Sequence, residues 1–166
     1  MTVLDRWLYQ GIARRKTMKV EDVMTREVAE CRPEDTCSFA AKIMWERDCG
    51  CVPVVDASGC VCGVITDRDI CMAAYTRGRP LHEIAVQSAM SKDPQSVRPE
   101  DSIEHAQELM RRSRVRRIPV LDEGHLAGML SIGDLLRQTS SSPSHKHHGL
   151  RADQVVETLA AISSRS

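Results

Sequence analysis

Apolar positions along the chain recur at two spacings, and they do so twice in the same order. Over 37–46, Cys37, Ala40, Ala41 and Met44 fall on one side of a helix; over 103–110, Ile103, Ala106, Leu109 and Met110 do the same. Ahead of these stretches stand Pro33-Glu34-Asp35-Thr36 and Pro99-Glu100-Asp101-Ser102, whose short oxygen-bearing side chains suit a helix N-cap. After each helix come two β-branched runs, 52–56 with 61–65 and 118–122 with 126–130, each pair joined by a turn containing glycine. These are hairpins. A second helix closes each copy, at about 66–75 and about 131–137, and a short extended segment opens it. The predicted unit is β-α-β-β-α, and the fold class is α+β.

The doubled order is a sequence repeat. Val23-Met24-Thr25 returns as Ala89-Met90-Ser91, and Arg32-Pro33-Glu34-Asp35-Thr36 returns as Arg98-Pro99-Glu100-Asp101-Ser102, both displaced by 66 positions. The displacement falls to 65 only after Asp122, where one residue is missing from a turn. About 60 residues bury too little surface to stand alone. The two copies are therefore expected to pack sheet to sheet about a pseudo-two-fold axis, to share a core, and to leave a ligand-sized cleft between them. The chain divides into an N-terminal amphipathic helix over 1–16 (Leu4, Trp7, Leu8, Ile12), a first repeat over 17–78 and a second over 79–138. Residues 139–166 read as a flexible linker followed by a short helix carrying Val155, Val156, Leu159 and Ile162.

Composition narrows the partners. Lysine plus arginine equals aspartate plus glutamate, 23 each, so no net positive field is available to hold a nucleic acid. Aromatics make up 3% of the 166 residues, too few for a base-stacking platform. No apolar run approaches the roughly 18 residues of a membrane span. Seven cysteines, an odd number with no signal peptide ahead of them, point to a reduced cytoplasm.

Over about residues 17–138, three doubled motifs carry a family resemblance: Asp22-Val23-Met24-Thr25, the xx-Pro-Val strand, and Gly63-Val64-Ile65-Thr66-Asp67-Arg68-Asp69-Ile70. Together they resemble the cystathionine-β-synthase (CBS) domain pair, or Bateman module. That resemblance implies a regulatory module, not an enzyme, whose cleft takes AMP, ADP, ATP, NAD or S-adenosylmethionine, with no catalytic cofactor. It also implies a homodimer shaped as a flat disc and a regulated protein partner. In the family, Thr/Ser-x-x-Asp holds the ribose, which places Thr66 with Asp69 and Ser131 with Asp134 in that role. Chemistry supports it, since a fixed carboxylate accepts from two adjacent ribose hydroxyls. The other reading is a helix capping box, and aspartate where that box favours glutamate argues for the ligand.

Adenine needs an apolar slot, which Met24-Thr25 or Met90-Ser91 would form with Pro53-Val54 or Pro119-Val120 as walls. The alternative is a β-edge blunted by proline. Arg116-Arg117 precede the second Pro-Val strand where Gly50-Cys51 precede the first, so this arginine pair suits a phosphate. The alternative is a cluster of solvated surface arginines over 111–117; Arg68, whose counterpart is Gly133, is a further candidate.

Cys49-Gly50-Cys51 and Cys60-Val61-Cys62 could bind zinc or sense redox state. Against this, Cys31, Cys37, Cys49, Cys62 and Cys71 correspond across the repeat to Val97, Ile103, Val115, Ala127 and Leu136, which are core-type residues. Cys51 and Cys60 correspond to Arg117 and His125 and are expected to be the more exposed pair. Two function classes thus stand beside the nucleotide sensor: a ligand-free dimerisation or adaptor protein, and a metal or redox sensor.

Overall fold

Thr36 and Ser102 start the first helix of each repeat as N-caps: their hydroxyl oxygens accept from the amides of Phe39 at 3.2 Å and His105 at 3.1 Å. The computed structural model describes residues 17–140 and 150–164. In chain order the first repeat contains α1 (Cys37–Glu46), β1 (Cys51–Val55), β2 (Val61–Thr66) and α2 (Asp67–Arg77), followed by the short strand β3 (Ser91–Lys92). The second contains α3 (Ile103–Ser113), β4 (Arg117–Asp122), β5 (His125–Ser131) and α4 (Ile132–Ser140), followed by α5 (Ala152–Ser163). Both hairpins are antiparallel, with Val52 opposite Ile65 and Ile118 opposite Leu130. The α+β reading of the sequence holds.

What joins the halves is an exchange of their opening segments. Thr25, from the start of the first repeat, bridges Met129 in β5, while Ser91, from the start of the second, pairs with Val64 in β2. Lys19 likewise bridges Ser102, and Thr36 bridges Ala85. Every such pair has a partner displaced by the repeat length, as a two-fold axis requires. On the axis itself, residues that correspond to one another meet: Cys60 bridges His125. Two glycines make the exchange possible. A Cβ on Gly128 would lie 2.6 Å from the Thr25 carbonyl oxygen, and one on Gly63 would lie 2.9 Å from that of Ser91.

Buried side chains form two clusters, which corrects the expectation of one shared core. Val20 and Met24 join Ile103, Met110, Ile118, Leu130 and Leu135 of the second repeat; Ile84 and Val86 join Cys37, Ala40, Val52 and Ile65 of the first. Each hairpin lays its helices over one face and closes its own cluster, so the halves meet through exchanged backbone. The exchanged segments therefore belong by packing to the repeat they did not start.

The helix α4 continues through Thr139 and Ser140, beyond the expected end near 137. Their hydroxyls donate back to the Leu136 carbonyl at 2.8 and 3.2 Å, which lets polar residues extend the last turn. The expected N-terminal helix over 1–16 and the linker over 141–149 lie outside the described residues. The expected C-terminal helix forms as α5 and packs on α3 and α4, with Val155 and Thr158 fully buried. The Thr158 hydroxyl accepts from Gln107 at 3.3 Å and Arg111 at 3.0 Å and donates to the Gln154 carbonyl at 2.8 Å. Among the described residues no counterpart of α5 lies on the corresponding surface of the first repeat, where Trp45, the counterpart of Arg111, is 88% exposed. No helix among the described residues is long and apolar enough to cross a membrane.

Candidate functional site

Both Thr/Ser-x-x-Asp motifs sit at a strand-to-helix junction, and both form complete capping boxes. Asp69 Oδ2 accepts from the Thr66 amide at 2.9 Å and hydroxyl at 2.7 Å, while the Asp69 amide donates to Thr66 Oγ1 at 3.2 Å. Ser131 and Asp134 repeat this at 2.8, 2.6 and 3.2 Å. Aspartate therefore closes the box as well as glutamate would, and the preference for the longer acid does not separate a cap from a ribose holder. One oxygen caps the helix. The other, Oδ1, is left for further partners.

At Asp134 this oxygen has two partners. Oδ1 accepts from the Thr25 hydroxyl at 3.3 Å and pairs with the Arg137 guanidinium one helical turn on. Asp134 is 7% exposed, so its charge is held inside the wall rather than on the surface. Thr25 reaches it only because the first repeat lends its opening strand to β5.

A cleft of about 570 Å³ opens beside this cluster. It is lined by the β5–α4 junction, with Met129, Ser131, Ile132, Gly133 and Asp134, and by Thr25, Val28 and Ala29 of the segment that pairs with β5. The first repeat contributes the loop between α1 and β1, with Arg47, Asp48 and Cys49, and then Cys51; the second adds Arg116 and Arg117 ahead of β4. Four arginines, Arg47, Arg116, Arg117 and Arg137, and three acids, Glu27, Asp48 and Asp134, thus line it. The balance suits an anion with a polyol on one side.

Among the residues singled out in the sequence, the structure brings Thr25, Ser131, Asp134, Arg116 and Arg117 together in this cleft. Thr66, Asp69 and Arg68 lie at the equivalent junction of the first repeat and do not line it, nor do Met90 and Ser91, which pack on β2. Pro53, Val54, Pro119 and Val120, expected as adenine walls, are buried inside their hairpins instead. Cys31 and Val97 pair alongside those strands, which turns the Pro-Val residues into interior ones. Met24 is buried as well, its sulfur packed over Gly128. The aliphatic walls come from Val28, Ala29, Met129 and Ile132.

Other lining residues escaped the sequence reading. Arg137 was legible in principle as a partner three positions after Asp134 on a helix. Arg47 sits in a loop with no motif, and nothing in the repeat marks it, its counterpart being Ser113.

The cysteines divide differently from expectation. Cys51, expected to be exposed, is buried in β1, and burial pushes its thiol up to about 11, with the Arg117 guanidinium pulling the other way. Cys71, expected in the core, is exposed; it lies on the outer side of α2, where its counterpart Leu136 is also at the surface. Cys31 and Cys37 are buried as the repeat implied, and desolvation raises the Cys31 thiol to about 12. No cluster of three or more His, Cys, Asp or Glu side chains arranged to hold a metal occurs among the described residues.

Comparison with known proteins agrees with this architecture. The CBS domain model matches residues 20–75 and 84–141. The CBS domain-containing protein YhcV of Bacillus subtilis is 36% identical over 125 residues, covering 75% of this chain and 88% of that protein. Among solved structures, the CBS domain protein TA0289 of Thermoplasma acidophilum superposes with a TM-score of 0.74 at 20% identity, over 90% of this chain and 79% of that one. CBSX2, solved in complex with AMP, superposes with a TM-score of 0.64 at 27% identity, over 72% of this chain and 94% of that one. With two exchanged β-α-β-β-α repeats and a family match over both, the chain belongs to the CBS domain family as a tandem pair.

Proposed function

We propose that this CBS pair is a regulatory module that binds one anionic adenine nucleotide, AMP, ADP or ATP, in the cleft beside Asp134. The observation that carries the reading is the meeting, in one cleft, of a nearly buried carboxylate with four arginines and an aliphatic wall. The ribose hydroxyls would donate to Asp134 Oδ1, taking the place of the exposed Arg137 guanidinium. The phosphates would lie against Arg116, Arg117 and Arg47, and the base between Val28, Ala29 and Ile132. A volume of about 570 Å³ falls within the roughly 300–1,000 Å³ usual for small-molecule sites. CBSX2, at 27% identity, was solved with AMP, in line with this choice. S-adenosylmethionine, whose sulfonium is cationic, suits four arginines less well.

Further parts of the reading follow the family or, for the compartment, the seven cysteines. The protein acts in the cytoplasm as a homodimer, its role is regulatory rather than catalytic, and ligand occupancy alters a separate protein partner by favouring one arrangement of the repeats. An adaptor role without ligand is the second reading, favoured by Trp45 and Tyr75, which are 88% and 82% exposed on the helices of the first repeat.

Thermal unfolding with and without nucleotide separates the two. At about 100 times the dissociation constant, AMP or ATP should add about 2.7 kcal/mol, a rise in Tm of about 5–10 °C for a chain of this size. Equal concentrations of S-adenosylmethionine should shift it less. A melting temperature indifferent to all of them at millimolar concentration favours the adaptor.

A further inference from the structure

We infer that the C-terminal helix α5, which lies outside both repeats, is a working wall of the nucleotide cleft, and that its docking and nucleotide binding strengthen each other. The inference rests on the nucleotide reading above and adds to it the element through which occupancy is transmitted.

The sequence of contacts along one stripe of α5 carries it. Val155, Leu159 and Ser163 are spaced by four and so share a face of the helix. Val155 is fully buried in the second repeat's core, Leu159 lines the cleft, and Ser163 Oγ accepts from Arg116 Nη2 at 3.3 Å. One helix face thus runs from the core, past the cleft, to an arginine assigned to the phosphates. Beside it, the buried Thr158 hydroxyl receives Gln107 and Arg111 from α3, which fixes how the helix is turned.

The sign of the coupling follows from the unequal strength of these contacts. Leu159 is only partly buried, so a base or sugar laid in the cleft removes more of its apolar surface from water. The Arg116 contact opposes this, because a phosphate would draw the guanidinium away from Ser163. That bond is long, exposed and made to a neutral hydroxyl, so giving it up costs the docked helix little. The gain at Leu159 therefore outweighs the loss at Ser163. By linkage, whatever factor α5 docking adds to nucleotide affinity, nucleotide adds to α5 docking.

Hydrogen exchange on the full chain, with AMP or ATP as the probe, tests this together with titration calorimetry. Saturating nucleotide should slow exchange of the amides of 152–163 about fivefold, the low end of known couplings. Leu159→Ala should weaken nucleotide binding by a similar factor. Val155→Asp, which unseats the helix at a residue that does not line the cleft, should do the same. If Val155→Asp prevents folding, wild-type exchange and Leu159→Ala decide the matter. Nucleotide binding with unchanged exchange in 152–163 and wild-type affinity in Leu159→Ala overturns this inference alone. Absence of any nucleotide binding to the wild-type chain overturns the nucleotide reading and this inference with it.

Discussion

Gly128→Val should destabilise the protein by about 3 kcal/mol, the upper end for overpacking a filled site. The added Cβ would stand 2.6 Å from the Thr25 carbonyl oxygen, a backbone atom and not a side chain that can swing away. Thr25 is held there from both directions, its amide donating to Met129 O and its carbonyl accepting from the Met129 amide, each at 2.9 Å. Relief therefore requires breaking the exchanged strand. The nearest atom to Gly63 is instead the Met90 sulfur at 2.7 Å, the end of a flexible side chain, although the Ser91 carbonyl follows at 2.9 Å. Gly63→Val should thus cost less, by about 1 kcal/mol or more. Urea denaturation of the two variants measures the difference. A Gly128→Val protein within about 1 kcal/mol of wild type would contradict the close approach.

Ile84→Ala should cost about 2–5 kcal/mol, the usual loss on emptying a buried isoleucine site. By chain position Ile84 opens the second repeat, yet it is 2% exposed within the first repeat's cluster, and its carbonyl accepts from the Cys37 amide at 2.7 Å. The damage should therefore appear in α1 and in the β1–β2 hairpin, as faster amide exchange there than in β4, β5 and α3. Loss of protection confined to the second repeat would show that the opening segments are not exchanged.

The residues that were legible in the sequence are those whose role is local. Thr36 and Ser102 announce helix starts, the β-branched runs that include Val52, Val54, Ile118 and Val120 announce strands, and the displacement of 66 announces the pair. The exchange of opening strands was not legible, because a β-bridge from Thr25 to Met129 spans over a hundred residues and leaves no spacing signature. Its one local trace is a glycine in each second strand, Gly63 and Gly128, which reads equally well as a turn or a bulge. The same exchange explains the site. Thr25 lines the cleft and the Pro-Val pairs do not, since a strand's exposed edge becomes its interior once a further segment pairs alongside. Arginines are the least legible of all. Arg116 and Arg117 stood out only by comparison with Gly50 and Cys51, whereas Arg47 gained its place from the way the first repeat's loop folds over the second.

Titration calorimetry of AMP and ATP into the wild-type chain, Asp134→Asn and Asp69→Asn measures the main proposition most directly. The account predicts one nucleotide bound per chain, affinity reduced about tenfold or more by Asp134→Asn through loss of a charge-assisted hydrogen bond, and little change in Asp69→Asn. Asparagine keeps the shape and an acceptor for the helix cap, so the fold should survive in both. Wild-type affinity in Asp134→Asn, or binding lost only in Asp69→Asn, would contradict it.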